Sequence, residues 1–250
     1  MGYLRFLEQL DSPHEGGRKR TVRILAPATG DGTLLETPPV LYLQDGQNVF
    51  SGWERASSDS WCADVVMESL VAQGVVEPWL LVAVDSDASR DSDYSPWEAG
   101  GQYARFLVET LRPYLEARFA TRGGPEWTAV AGSSLGGLIS LHLSRSFPAT
   151  FGRVAALSPT VMWADGLLFH EWRAHSRQWS RIYLDSGANE VLYEDGRAFD
   201  YASSVRAFWA HLKEMGYAEH EVRLVLEPGG NHHERDWRRR LPDALRWLLA

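Results

Sequence analysis

Three residues at fixed spacing carry the first chemical signal: Gly132, Ser134 and Gly136 spell G-x-S-x-G, with Ser133 in the variable place. An apolar run leads in over 127–133 and a helical pattern leads out from 135, so the serine stands at a strand-to-helix corner. Such a corner exposes the hydroxyl, and small neighbours tolerate its strained backbone. The N–H of Leu135 opens the helix, where unpaired amides and the helix dipole favour a developing oxyanion. The chemistry indicated is acyl transfer through Ser134 as nucleophile.

A serine nucleophile needs a base and an acid that orients the base, and both follow the serine in chain order for this kind of corner. His220, His232 and His233 follow or adjoin the last strand pattern, and the latter two sit on the loop "EPGGNHHERDW" just beyond it. The acid is expected after the preceding strand, "RIYLDSGANE". Glu190 leads there because a loop side chain reaches an imidazole more readily. Asp185, inside the strand end, is the reserve acid or else a carboxylate that holds the turn. No metal is expected at His232, His233 and Glu234, since adjacent residues rarely aim at one ion and no helical i, i+4 histidine pair is present.

These groups must be positioned by a scaffold, and the chain alternates β-rich runs with helical periods. Strands are expected at 21–27, 39–46, 79–86, 127–133, 153–159, 181–187 and 221–229. Helices are expected at 60–73, capped by Ser60, at 101–119 with a kink at Pro113, and at 134–146, 197–215 and 237–249. Several strands are apolar on consecutive positions, as strands buried on both faces are. The pattern predicts an α/β fold, a mostly parallel central sheet with helices on both faces, in one domain over 1–250. Two connections are long: 87–100, which carries Tyr94 and Trp97, and the Trp-rich 160–180, which holds Trp163. Long connections at the carboxyl ends of parallel strands build pockets, so these three aromatics are pocket candidates, with a cap packed on the core as the plainer role for 160–180.

Bulk properties exclude several function classes. A net charge of -8 argues against nucleic acid or an anionic membrane as partner, and 44% hydrophobic with 23% charged residues is ordinary globular composition. The basic run Arg18 to Arg20 is expected on a solvated edge. The single cysteine, Cys62, rules out an internal disulfide and is expected as a small core residue of a helix. The N-terminus meets charge before any signal-peptide core develops, and no apolar run nears the ~20 residues of a membrane helix, so a soluble, cytoplasmic chain is expected.

With these residues in place the sequence resembles the putative-esterase family of α/β-hydrolases, which includes enterochelin esterases, esterase D, feruloyl esterases and mycolyltransferases. The blocks "VLYLQDGQNVF", "RDSDYSPW", "GSSLGGL", "SFPATFGRVAALSP", "DSGANE" and "GGNHHERDWRRRL" occur in the family's order, from about Thr21 to Leu248. The resemblance implies an α/β-hydrolase fold with Ser134 as nucleophile and His232, five residues before Trp237, as base. Glu190 stands as acid where the family usually has Asp, and the Gln47 N–H is the second oxyanion donor beside that of Leu135. His233, where many members have Asn, lines the site. The implied activity is serine carboxylic ester hydrolysis through an acyl-enzyme, on a small-molecule ester and without a cofactor. Thioester hydrolysis or acyl transfer on the same triad are the alternatives, and a non-catalytic binding module is the alternative from another class.

Overall fold

The structure is a computed structural model that describes residues 1–53, 59–174, 176–194 and 196–250. Eight strands form one sheet: β1 (Gly2–Ser12), β2 (Arg18–Ala28), β3 (Val40–Leu43), β4 (Leu80–Val84), β5 (Thr128–Ser133), β6 (Arg153–Leu157), β7 (Arg181–Gly187) and β10 (Val222–Glu227), with β8 (Val191–Glu194) and β9 (Arg197–Asp200) pairing as a separate hairpin. Their order is β1-β2-β4-β3-β5-β6-β7-β10. β1 and β2 join antiparallel at one edge, and every pair from β4 to β10 is parallel.

Period-2 alternation sorts the central strands between two cores. Tyr42, Val130 and Val154 face one cluster, while Leu41, Ala129 and Ala155 face the other. The first cluster is covered by α3 (Gly100–Arg105), α4 (Arg112–Phe119), α5 (Leu135–Ser146), α6 (Trp163–Arg173) and α7 (Tyr201–Glu214). The second is covered by α1 (Ala63–Ala72) and α8 (Glu234–Leu249). A short helix, α2 (Arg90–Asp93), follows β4. Leu241, Leu245 and Leu248 of α8 are fully buried, each contributing on the order of 2 kcal/mol from area removed from water. This is the α/β-hydrolase fold, with the carboxyl ends of β3, β5, β6, β7 and β10 gathered along one edge.

Several expectations change in detail. β1 had no counterpart among the expected strands, because exposed Leu4 and Leu7 obscure the alternation that turns Phe6, Glu8 and Leu10 inward. The basic run is not a solvated edge. Arg20 is 3% exposed and pairs with Glu15 and Asp93, Arg18 also reaches Asp93, and Lys19 alone points out to solvent. Cys62 is not a core residue inside a helix: it is half-buried at the N-cap of α1 in left-handed backbone, φ 54°. Ser60 does not cap that helix, and its hydroxyl instead accepts the Cys62 N–H at 3.1 Å. The run at 101–119 is interrupted by a π-helical segment over 106–111, just before Pro113. A wide turn there accommodates the carbonyl that a proline cannot serve as donor.

Candidate active site

Ser134 lies between β5 and α5 with φ 55° and ψ -126°, a conformation that costs about 1–3 kcal/mol for a residue with a side chain. Its neighbours explain how the corner closes. A Cβ on Gly132 would stand 2.3 Å from the Gly136 carbonyl oxygen, so only hydrogen fits where strand and helix cross. The Ser134 N–H donates to Leu157 C=O at 3.0 Å, and its own C=O accepts from Gly137 and Leu138, the first bonds of α5. The Leu135 N–H, at the first helical position, has no acceptor within its helix.

The second loop of interest follows β3. Asp45 adopts left-handed backbone, φ 56°, and starts a single 3-10 turn over Gly46–Asn48. That turn is closed by Asn48 N–H to Asp45 C=O, leaving the Gln47 N–H without an acceptor inside it. The loop is held from three sides. Arg90 forks both Asp45 oxygens at 2.7 and 2.9 Å, Ser86 Oγ donates to Asp45 Oδ1 at 2.6 Å, and the Asp45 N–H donates to the Tyr94 hydroxyl at 2.9 Å. The Gln47 side chain trades hydrogen bonds with Ser86 at 2.7 and 3.0 Å.

Glu190 and His232 approach from the loops after β7 and β10. His232 Nδ1 lies 2.6 Å from Glu190 Oε1. The other carboxylate oxygen accepts the Gly187 N–H at 2.7 Å and the Ser158 hydroxyl at 2.9 Å. Burial alone would raise the pKa of this carboxyl. The hydrogen bonds from His232, Gly187 and Ser158 outweigh it and hold Glu190 below the ordinary carboxylate range, so it stays ionised opposite an imidazole. Ser158, in left-handed backbone at φ 42°, also accepts from Trp237 Nε1 at 3.2 Å and from Arg240 at 2.7 Å, which ties the acid to α8. The His232 ring is gripped by Tyr201, with centroids 4.3 Å apart, and by the edge of Trp237 at 4.9 Å.

Asp185 sits elsewhere. Fully buried, it accepts the Ser158 N–H at 3.1 Å and faces Arg240 Nε at 3.2 Å. Burial pushes its pKa up to about 7 against the pull of Arg240. Its contacts hold the turn at Ser158, while the imidazole is met by Glu190.

Ser134 and His232 line one cleft of about 240 Å³ together with Gln47, Trp61, Arg90, Glu234 and Trp237. The Ser134 hydroxyl lies within hydrogen-bond reach of Thr160 Oγ1, at 3.3 Å. Among the described residues, those lining a larger hollow of about 580 Å³ beside Arg5 and Trp53 include no serine, cysteine or histidine. The four expected lining residues fall outside the cleft. Tyr94 is 1% exposed, its hydroxyl spent on Asp45, and Trp97 packs on the core. Trp163 donates from Nε1 to Ser95 at 3.1 Å, and His233 caps α8 through Nδ1, accepting the Arg235 N–H at 3.2 Å. The segment 160–180 likewise seats Trp172 fully in the core, against Phe208 and Tyr217.

Sequence reasoning missed Thr160, Tyr201, Ser158 and Arg240, which meet only through the tertiary fold. Arg90 and Ser158 stood within the quoted blocks without a role. Among the described residues no helix is long and apolar enough to cross a membrane.

The family described as Putative esterase matches residues 14–248. YbbA of Bacillus subtilis, an uncharacterized protein, is 23% identical over 254 residues that span 96% of each chain. The siderophore triacetylfusarinine C esterase of Aspergillus fumigatus is 30% identical over 160 residues, 58% of this chain and 51% of that one. The enterobactin esterase of Shigella flexneri, solved in the presence of enterobactin, superposes with a TM-score of 0.78 at 23% identity, covering 98% of this chain and 58% of its own. The chain thus spans about half the length of these two siderophore esterases.

Proposed function

We propose, for a chain that belongs to the putative-esterase family and is a carboxylic ester hydrolase, that it works through a Ser134-His232-Glu190 triad and an acyl-enzyme. The observation that carries this reading is the 2.6 Å contact of Glu190 with His232 Nδ1, made by an imidazole that shares the cleft with Ser134. A carboxylate can only accept, so in this reading the proton sits on Nδ1 and Nε2 acts as the base.

In this mechanism the Ser134 hydroxyl aims its proton at His232, keeping Oγ within reach of Thr160, and gives that proton up as Oγ attacks the ester carbonyl carbon. Hydroxyl–imidazole contacts of this kind commonly tighten only once substrate is bound. The oxyanion is received by the Leu135 and Gln47 N–H groups, each worth on the order of 3 kcal/mol in such a role. His232 then hands the proton to the departing alcohol, and water repeats the sequence on the acyl-enzyme. Glu190, kept ionised by its hydrogen bonds, steadies the imidazolium throughout. The substrate is a small-molecule ester, and the siderophore esters of the relatives are the first class to screen.

The test is incubation of wild type and Ser134→Ala with an activated aryl ester and with a serine-directed fluorophosphonate. Turnover and a single covalent adduct are expected in the wild type alone. Turnover that survives in a folded Ser134→Ala variant would remove the serine from the mechanism.

A further inference from the structure

We propose that Thr160, backed by Tyr201, donates a hydrogen bond to Ser134 Oγ that eases the departure of this oxygen from the acyl-enzyme. The inference rests on the serine mechanism above and extends it to two residues outside the triad. Thr160 is fixed relative to the nucleophile, since its N–H donates to the Ser134 carbonyl at 3.1 Å and its Oγ1 lies 3.3 Å from Ser134 Oγ. The Tyr201 hydroxyl lies 3.3 Å from the same Thr160 oxygen. Tyr201 is itself immobilised: its N–H donates to the Glu190 carbonyl at 2.9 Å, and its ring lies on His232. Thr160 is 6% and Tyr201 5% exposed, so water competes little for these bonds.

A count of protons gives the chain its direction. Each hydroxyl has one hydrogen to donate. Burial raises the Tyr201 phenol above its ordinary pKa, so it keeps its proton. If Tyr201 donates to Thr160, the Thr160 proton is free for Ser134, and the proton of Ser134 remains for His232. The reverse order would spend the Ser134 proton on Thr160 and withhold it from the base.

Donation to Oγ matters most when Oγ leaves. In deacylation the water oxygen bonds to the acyl carbon and its proton passes to His232 Nε2. The bond from carbon to Oγ then breaks, its electron pair stays on Oγ, and His232 returns the proton there. The Thr160 hydrogen bond shares the charge that builds on Oγ in that step. In acylation the departing oxygen belongs to the alcohol, and the same bond slightly tempers the nucleophile.

The experiment is rapid mixing of wild type, Thr160→Val, Thr160→Ser and Tyr201→Phe with an activated aryl ester, reading the burst and steady-state phases, with acid quench and intact mass for the acyl-enzyme. In Thr160→Val the burst rate is expected to hold within about two-fold while the steady-state rate falls roughly ten-fold and acyl-enzyme accumulates, as loss of one hydrogen bond implies. Thr160→Ser restores the steady state, and Tyr201→Phe moves the same way by less. Equal slowing of both phases, or of neither, overturns the proposal. If Thr160→Val does not fold, an unchanged ratio of the two phases in Tyr201→Phe overturns it. Fluorophosphonate labelling separates the two readings. A labelled wild type with unmoved deacylation sinks this inference alone, and an unlabelled wild type sinks the serine mechanism with it.

Discussion

Glu190 Oε1 and His232 Nδ1 stand 2.6 Å apart although 42 positions separate them, because β7 and β10 lie side by side and parallel, so their following loops emerge at the same edge of the sheet. The acid is bonded on its far side to Ser158, on the loop after β6, so the loops after three neighbouring strands meet at one carboxylate.

Replacing the acid without changing its shape should therefore cost catalysis, not fold. Glu190→Gln is expected to lower kcat by about 10³- to 10⁴-fold, because an amide either loses the charge opposite the imidazolium or selects the wrong tautomer. Asp185→Asn is expected to stay within about ten-fold of wild type, its contacts being to Ser158 and Arg240. Steady-state kinetics on one aryl ester rank the two, and the opposite ranking would transfer the acid role to Asp185.

The same two carboxyls have opposite effects on stability against pH. Glu190 has a lowered folded pKa, so its contribution is present above the ordinary carboxyl range near 4.3 and is lost as pH falls through the folded value. Asp185 is raised to about 7, so between roughly pH 4 and 7 the folded state holds a proton that the unfolded chain has released, and stability from this group declines as pH rises across that window. Urea midpoints from pH 4.5 to 8 should decline less steeply for Asp185→Asn than for wild type. Parallel curves would refute the assignment.

Two glycine substitutions give contrasting outcomes. Gly132→Ala places a methyl 2.3 Å from the Gly136 carbonyl oxygen in the backbone of the elbow, and a large fall in Tm or loss of soluble protein is expected. Gly101→Ala, exposed in α3 with open space around the new Cβ, should stabilise by about 0.5–1 kcal/mol. Thermal melts of both variants decide the point.

Arg90→Ala removes the fork that holds Asp45 and with it the loop presenting the Gln47 N–H. In the proposed mechanism that N–H is an oxyanion donor, a role worth 10²- to 10³-fold, so a partial loss of its placement is expected to lower kcat roughly ten-fold or more. KM on the same ester is expected to change little. A change confined to KM would mean that Arg90 binds substrate and does not position the loop.

Much of this site was legible because chemistry and local geometry coincide in short motifs. The elbow at Ser134 needs glycine at 132, and runs such as "VLYL" and "TAVAGS" announce strands buried on both faces, so the candidate nucleophile, the sheet and the helix order could all be read along the chain. Asp and Glu near a strand end could not be ranked with the same force, since which one meets an imidazole depends on the relative rotation of two loops. Tyr94, Trp97 and Trp163 read as pocket residues because aromatic character alone does not distinguish a ring that lines a cleft from one that packs beneath it. What the sequence by itself determined is therefore the order of the elements and the hydroxyl that stands at the strand-to-helix corner, properties carried by neighbours within about ten positions. What only the tertiary structure decided is the company that hydroxyl keeps: Thr160 with Tyr201, Ser158 with Arg240, Asp45 with Arg90. Hydrogen bonds between residues 41 to 82 positions apart leave no periodic trace in a chain, because direction and distance are set by how parallel strands stack their loops at one edge.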